Sequence, residues 1–358
     1  MVTMLDCIRR VPSLLCKIVE RRADTFRALW DSCPTREVDE LFLIGSGTSL
    51  TAAATARYLA EEASGVRVTV APPNEFLNCY RVRNNRALYV FISQTGTSTA
   101  LLEALQYARA QGFYTAAVTE KADTPIALGA GAFVDMGCGH EEYGMRTIGY
   151  STAVMTLMML GLTLGHARGT LSAAREEAYI AQALAAADNI PDIIERALRW
   201  MDKSRRRIMR SRFIAFTGTG AHYGVAQEGA VKMWEAPQYP SAGYELDEGM
   251  HGPNFGYTDA DAVNVLDDGA PGADKGLDLA RYMKNEHRNG YIFGLRAQDG
   301  DDLAFEPRGG AFDALEFAAA VQVFMYRLAV DGGRDFSILG VHAKMNSYFD
   351  AHRKKANA

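Results

Sequence analysis

The sequence lacks any hydrophobic run long enough to cross a membrane, and it has few cysteines. Its longest apolar stretch, residues 153–165, is shorter than the roughly 20 residues that a membrane-spanning helix needs. The amino terminus carries charged residues in place of the apolar core of a signal peptide. The five cysteines are odd in number and scattered without C-x-x-C spacing, which argues against a disulfide framework and a zinc site. We therefore expect a cytoplasmic protein without a membrane partner, in which residues 153–165 form a buried helix.

An excess of positive charge is also absent. The formal net charge of the chain is −5, so no general electrostatic attraction favours nucleic acid as a partner. The one conspicuous basic run, residues 203–207, is interpreted as a solvated segment before the next strand. With 358 residues, 48% of them apolar and 23% charged, the chain has the composition of a folded protein with room for two domains.

Two short loops rich in serine, threonine and glycine each follow an apolar run and precede a segment of helical spacing. Residues 45–49 follow the apolar run 41–44, and residues 93–98 follow the run 88–92. In a parallel sheet such loops lie at the carboxyl ends of strands, and the helix starts behind them offer N–H groups to an anion. Either loop alone fits an ordinary turn and helix cap equally well. Together they predict a phosphate site, although they lack the P-loop lysine and the glycine spacing of a dinucleotide site.

The chain also repeats its own pattern. The apolar run and Gly-Thr pair at residues 42–48 are echoed at residues 213–219, which indicates a tandem duplication of one α/β domain. Further strands are predicted at 263–266 and 291–295, with a helix at about 277–286 between them. The predicted organisation is an N-terminal helical extension (1–36), a first α/β domain with the phosphate loops (37–170), a helical connector (171–211), a second α/β domain (212–335) and a C-terminal tail (336–358).

The second half carries a different set of chemical groups. Glu228, Lys232 and Glu235 are spaced i, i+4 and i+7, so on a helix they project from one face. Such a pair is most often solvated when it is taken alone. Further along, His251 stands directly before a Gly-Pro pair, which favours a defined loop. A carboxylate and an imidazole brought together would form an acid/base pair near neutral pH.

These motifs resemble one enzyme family. The loops at 45–49 and 93–98, the helix at 228–235 and the His-Gly-Pro at 251–253 are similar to the tandem sugar isomerase (SIS) domains of the isomerase half of glucosamine-6-phosphate synthase. The chain resembles still more closely the ketosamine-6-phosphate deglycases of the fructoselysine or fructoseasparagine type. The resemblance covers roughly residues 38–345, and it implies an α/β fold of two tandem SIS domains, each a parallel β-sheet flanked by helices.

The resemblance also implies a role for each matching position. Glu235 matches the enolisation carboxylate, with Glu228 and Lys232 as its supporting pair. His251 matches the ring-opening histidine, which in the family comes from a neighbouring subunit, so a homodimer or higher homo-oligomer is expected. In the C-terminal tail, Lys344 matches a lysine that contacts the open-chain sugar. The positions that match the ligands of the sugar phosphate are Thr48, Ser49, Ser93, Gln94, Thr95 and Ser98.

The expected function is that of a ketosamine-6-phosphate deglycase, which converts a fructosyl-amine 6-phosphate to an aldose 6-phosphate and a free amine. The synthase has a Ser-Thr-Lys motif where this chain has residues 146–150, and this departure favours a deglycase or deaminase over the synthase. The alternatives are an isomerising glucosamine-6-phosphate deaminase or other sugar-phosphate isomerase, and a non-catalytic sugar-phosphate sensor. The absence of an N-terminal helix-turn-helix and the presence of Glu235 and His251 argue against a sensor. The chemistry requires no metal, flavin or nicotinamide, and no cofactor is expected.

Two further sets of residues have weaker predictions. Four polar residues are candidates for recognising the amine part of the substrate: Asp268, Glu141, Glu142 and Arg146. Five isolated histidines lack neighbouring ligand spacing and are expected to be surface or structural residues, not metal ligands. They are His140, His166, His222, His287 and His352.

Overall fold

A computed structural model of the protein describes residues 2–334 and Tyr348. The described chain divides into two compact units. The N-unit comprises residues 17–141 and 152–178, and the C-unit comprises residues 2–16, 142–151 and 179–334. Each unit contains one five-stranded parallel sheet.

The sheet of the N-unit has the strand order β2-β1-β3-β4-β5. Its central strands are buried along their whole length and consist of branched and aromatic residues, as expected for a parallel sheet covered on both faces. Its strands are β1 (Glu40–Gly45), β2 (Arg67–Ala71), β3 (Ala87–Ile92), β4 (Tyr114–Thr119) and β5 (Ala132–Asp135). The short helices that alternate with them are α2 (Thr48–Ser64), α3 (Pro73–Asn78), α4 (Thr99–Ala110) and α5 (Pro125–Gly129).

The three longest helices are α1 (Met4–Ser32), α6 (Ile148–Arg168) and α7 (Ala173–Ile208). Helix α6 is long and apolar enough to cross a membrane, but 94% of its most apolar window is buried inside the protein. Buried core helices meet the same criterion of length and composition. Within the N-unit, α6 approaches α2 so closely that a Cβ at Gly161 would lie 2.4 Å from the Cα of Ala60. The expected buried helix at 153–165 therefore lies inside α6.

The sheet of the C-unit has the strand order β10-β9-β8-β6-β7. Its strands are β6 (Phe213–Gly218), β7 (Ser241–Glu245), β8 (Asp261–Asp267), β9 (Gly290–Gly294) and β10 (Leu303–Ala304). Its shorter helices are α8 (Gly220–Glu235), α9 (Leu246–Gly249), α10 (Asp274–His287) and α11 (Ala314–Asp331). Helix α8 packs on β6, β7 and α11, so one face of α8 is enclosed by the unit.

The predicted α/β class is confirmed, as are the strands and the helix that the sequence indicated. The strand expected at 41–44 is observed as β1, and the strand expected at 88–92 is β3. The basic run at 203–207 forms the last turns of α7, ahead of β6. Lys203, Arg206 and Arg207 are exposed, in agreement with the interpretation of this run as a solvated segment before the next strand.

Candidate active site

The two Ser/Thr/Gly loops of the N-unit leave neighbouring strands at the same edge of the sheet. Strands β1 and β3 pair in parallel up to Gly45 and Ile92, and the two loops begin directly after these residues. The strand order reverses between β1 and β3, because β2 lies on one side of β1 and the later strands lie on the other. In open α/β sheets, ligands bind at this switch point. The juxtaposition that the sequence predicted for the loops is therefore present.

The backbone of the second loop is fixed by close packing within the N-unit. Gly96 has φ +61°, and a Cβ at this position would lie 2.3 Å from the Oγ1 of Thr124. The N–H of Gly96 donates to the Oγ of Ser93 at 3.1 Å. Thr124 in turn caps α5 by accepting from the N–H of Ala127 at 3.2 Å. The loop is thus held in one conformation by contacts that only glycine permits.

In the side-chain amide of Gln94, the Nε2 has a hydrogen-bond partner and the Oε1 has none among the described residues. Its Nε2 donates to Glu141 at 3.2 Å, and both side chains are buried. The Oε1 of Gln94 is buried without a hydrogen-bond partner among the described residues. Because an anionic carboxylate cannot donate, this pairing sets the orientation of the amide and leaves Gln94 an acceptor toward any ligand. Gln94 is therefore better arranged to receive a hydroxyl or amine of a substrate than a phosphate oxygen.

The other predicted phosphate ligands lie at or beside helix starts. Thr48 and Ser49 form the first turn of α2, which follows Gly47 at φ +55°. Ser98 is the N-cap residue of α4, and the Oγ1 of Thr95 lies 2.9 Å from that of Thr97. All of these side chains are partly exposed. The N-unit therefore offers hydroxyl groups and two helix N-termini at one edge of its sheet.

Two members of the charged triplet of α8, Glu228 and Lys232, are buried, contrary to what their spacing alone favours. Lys232 is 1% exposed and Glu228 is 2% exposed. The Lys232 Nζ lies 3.4 Å from the Glu228 carboxylate and 2.6 Å from the Glu235 carboxylate. Burial lowers the pKa of Lys232, but the two carboxylates outweigh it, so the pKa of this lysine is raised and it stays charged. The sequence placed the three groups on one face correctly, and the structure brings them together.

Glu235 differs from its two neighbours in exposure. Its side chain is 36% exposed, because it stands in the last turn of α8. The ammonium group of Lys232 fixes the carboxylate from the buried side and leaves its other oxygen available. A carboxylate held in this way can accept and return a proton at an accessible position.

His251 is exposed, and a hydrogen bond to the protein fixes the Nδ1 of its ring. The chain turns there between α9 and a short 3₁₀ turn (Pro253–Phe255), with Gly252 at φ +127°. The Nδ1 lies 2.7 Å from the carbonyl oxygen of Asp247, so this nitrogen donates and the Nε2 is left as the acceptor of the neutral ring. Among the described residues of one chain, no hydrogen bond or ion pair joins His251 to Glu235.

The candidates for amine recognition lie in different places. Glu141 contacts Gln94 in the N-unit. Glu142 instead pairs with Arg10 and accepts from the thiol of Cys7 at 3.3 Å in the C-unit. Lys344 lies outside the described residues.

His222 is a buried structural histidine, as expected, and the fold brings two carboxylates to it that are distant in the sequence. Its Nδ1 lies 3.2 Å from Asp268 and its Nε2 lies 3.2 Å from Asp313. Phe317 packs against the ring edge-on at 4.5 Å between centroids, and His222 is 3% exposed. Asp268 follows β8, which neighbours β6 at the point where the strand order of the C-unit reverses. The switch point of this sheet is therefore occupied by the protein's own side chains, and Asp268 is engaged within it.

The carboxylates of Asp268 and Asp313 stabilise the protonated form of the His222 ring. Burial lowers the pKa of His222, but the hydrogen bonds and charges of Asp268 and Asp313 raise it to about 9. Each ring nitrogen faces a different carboxylate, which is the arrangement of a doubly protonated imidazolium.

We expect the free energy of unfolding to depend on pH through His222. The pKa of about 9 in the folded protein exceeds the ordinary histidine value of 6.5, so the stabilisation is complete below pH 6.5 and is lost as the pH rises through about 9. The shift corresponds to about 3 kcal/mol. Urea unfolding of the wild type and the His222→Gln variant between pH 6 and 10 measures the difference. An equal loss of stability in both proteins over this range would contradict the assignment.

The amino-terminal part of the chain matches a known family model. Residues 36–164, which include both hydroxyl-rich loops, match the model of the SIS domain. The glutamine–fructose-6-phosphate aminotransferase (isomerizing) of Tropheryma whipplei (strain TW08/27) is 28% identical over 315 residues, covering 83% of this chain and 50% of that protein. The chain spans half or less of the length of the first curated relatives that it matches.

Solved structures share the fold over nearly the whole chain. A Clostridium difficile 630 protein named as a phosphosugar isomerase superposes with a TM-score of 0.88 at 21% identity, covering 96% of this chain and 98% of its own. A Salmonella typhimurium LT2 protein named as a sugar-binding protein superposes with a TM-score of 0.81 at 26% identity, covering 90% of this chain and 98% of its own.

Proposed function

Because this chain has the α/β fold of two tandem SIS domains, we propose that it is a ketosamine-6-phosphate deglycase. The observation that carries the proposal is the Glu235 carboxylate, which is partly exposed and held at 2.6 Å by the buried ammonium group of Lys232. A sugar-phosphate sensor has no use for a positioned base of this kind. The names of the relatives, an isomerising aminotransferase and a phosphosugar isomerase, support carbon-bound proton transfer on a sugar phosphate.

The proposed reaction moves one proton along the sugar and then adds water. Glu235 removes the proton from C1 of the open-chain ketosamine and returns it to C2. In the same conversion the amine nitrogen loses its proton and the C2 oxygen gains one, so the C2 ketone becomes an alcohol and C1 becomes the carbon of an imine. Water adds to the imine carbon, and the C–N bond breaks to release the amine and an aldose 6-phosphate. Positioned acid/base groups contribute about 10²–10⁴-fold in rate to such steps. Lys232 remains protonated throughout and positions the carboxylate.

The phosphate group is assigned to the loops of the N-unit. Thr48, Ser49, Ser93 and Ser98 supply hydroxyl groups next to two helix N-termini, where backbone N–H groups and the helix dipoles favour an anion. Binding energy from this remote group holds the reacting carbons in place. Gln94, with its open Oε1, is assigned to a hydroxyl or amine of the same substrate.

His251 is assigned to the opening of the sugar ring. Its Nδ1 is anchored and its exposed Nε2 is the nitrogen able to carry the ring-oxygen proton. We propose that it serves the substrate held by a second copy of this chain, which makes a homodimer the smallest active form. We also propose a cytoplasmic location, in line with the scattered cysteines.

A second candidate uses the same groups on a simpler sugar phosphate. An aldose–ketose isomerase, or an isomerising glucosamine-6-phosphate deaminase, also needs a phosphate anchor and a carboxylate beside C1 and C2. The isomerising aminotransferase among the relatives favours this candidate. Only the substrate distinguishes it from a deglycase.

The test is release of glucose 6-phosphate from a panel of fructosyl amino acid 6-phosphates by the purified full chain. Fructose 6-phosphate and glucosamine 6-phosphate are assayed in parallel. We expect release from at least one fructosyl amino acid, with the Ser49→Ala/Ser93→Ala variant raising KM. Turnover of the two simple sugar phosphates alone would establish the second candidate. Binding without any turnover would overturn the assignment as an enzyme.

A further inference from the structure

A second concave site lies in the C-unit and takes no part in the proposed reaction. It is a cavity of about 260 Å³ where the last turns of α7 meet β9 and the loop before β10. Its lining residues are Lys203, Ser204, Arg206, Arg207, Arg210, Tyr291 and Asp301. Four cationic side chains thus face one cavity together with a single carboxylate, in a chain whose net charge is −5.

Three of the cations lie in the last turns of α7, and Arg210 lies two residues beyond its end at Ile208. Lys203, Arg207 and Arg210 are spaced i, i+4 and i+7, and Arg206 and Arg210 are spaced i and i+4. Like charges at these spacings repel one another and destabilise a helix. Among the described residues, no carboxylate forms an ion pair with Lys203, Arg206 or Arg210.

The helix dipole accounts for part of the positive charge at the end of α7. Cations in the last turn of a helix are favourable, because they face the negative end of the helix dipole. Arg205 in the same turn meets that need, and it pairs with Asp202 and Asp331 outside the cavity. The dipole explains the sign of the charge in the last turn. It does not explain why four of the cations converge on a cavity that also contains buried polar groups.

Hydrogen bonds and one ion pair hold part of the cavity wall. Tyr291 is 1% exposed and donates from its hydroxyl to Asn289 at 3.1 Å, and Arg207 contacts the same hydroxyl. Arg207 also lies 2.8 Å from Asp301. The backbone of Asp301 is fixed in turn, because its carbonyl accepts from the indole of Trp200 at 2.7 Å. Arg207 is thus held in place, so it is ready to meet a ligand without first being ordered.

We propose that this cavity binds a small anion with two or more phosphoryl groups. Guanidinium groups pair with phosphate oxygens through two parallel hydrogen bonds. At about 30 Å³ per water molecule, the cavity holds roughly eight to nine waters' worth of liquid volume, which exceeds the needs of a single phosphate. The site is separate from the loops of the N-unit in sequence and in composition.

The test is calorimetric binding of inorganic tripolyphosphate to the full chain at low salt. We expect the Arg206→Ala/Arg210→Ala variant to bind tripolyphosphate about tenfold or more weakly, because two charge-assisted contacts are lost. The matched control is Arg36→Ala/Arg67→Ala, which removes two exposed positive charges elsewhere and should change affinity less than twofold. Orthophosphate should bind more weakly than tripolyphosphate.

Two outcomes would overturn the proposal. The first is equal binding by the wild type and the Arg206→Ala/Arg210→Ala variant. The second is loss of tripolyphosphate binding in the Ser49→Ala/Ser93→Ala variant alone, which would place the anion at the loops of the N-unit. The Arg206→Ala/Arg210→Ala variant keeps all of the proposed catalytic residues, so its basal turnover of sugar phosphate stays unchanged. The proposed function and the proposed anion site are therefore tested independently of each other.

Discussion

The Glu235→Gln variant is expected to lose about 10²–10⁴-fold in kcat, the contribution of a positioned acid/base group. Glutamine has nearly the same shape, but its amide cannot take up a carbon-bound proton at neutral pH. Lys232 keeps Glu228 at 3.4 Å as a partner, so the fold should remain. Steady-state kinetics with the best fructosyl amino acid 6-phosphate measure the loss, and KM is expected to change little.

The control for this variant is Glu286→Gln, an exposed carboxylate on α10, which should keep the wild-type rate. Circular dichroism and thermal unfolding of both variants exclude a loss of structure as the cause. Full turnover by the Glu235→Gln protein would rule out this carboxylate as the base.

The Lys232→Met variant is expected to be destabilised by about 3–5 kcal/mol, the range seen when one partner of a buried ion pair is removed. Lys232 is 1% exposed, and methionine fills much of its volume without its charge. The Glu228 carboxylate, which is 2% exposed, then loses the ammonium group at 3.4 Å. The free energy of unfolding in urea measures the effect. Activity should also fall, because Glu235 loses the group that positions it.

An exposed pair of the same chemistry provides the control. Lys275 lies 2.5 Å from Asp247 and is 60% exposed, so Lys275→Met should cost no more than about 1 kcal/mol. The Glu228→Gln/Lys232→Met variant should recover part of the lost stability, because the charge left behind is removed as well. Equal and small effects at the two lysines would show that burial adds nothing to the pair on α8.

The sequence predicts the sheets well and the charged clusters poorly. The apolar runs before residues 45 and 93 predict strands because both faces of a central parallel strand are buried, which leaves a continuous apolar signal. Adjacent positions in one loop or on one helix face are likewise visible, as for Glu228, Lys232 and Glu235. These predictions succeed because the residues that determine each feature are close together in the sequence.

The environment of a side chain is not local, and it is there that the predictions are incomplete. The spacing of Glu228 and Lys232 is the same in a solvated pair and in a buried one, and only the packing of α8 against α11 and the sheet decides between them. His222 meets Asp268 and Asp313 through the fold alone, since all three are far apart in the chain. The basic run at the end of α7 forms a cavity only because the loop before β10 folds against it.

The contact between Gly96 and Thr124 has a consequence for how this protein can evolve. Gly96 has a left-handed backbone, and a Cβ at this position would overlap the Thr124 side chain. A single substitution at position 96 therefore meets two penalties at once. Drift at position 96 is blocked until position 124 has changed, and a change at 124 removes the cap of α5. The conformation of the loop at 93–98 is thereby constrained, so a change in what descendant proteins bind is expected to arise from substitutions at other surfaces.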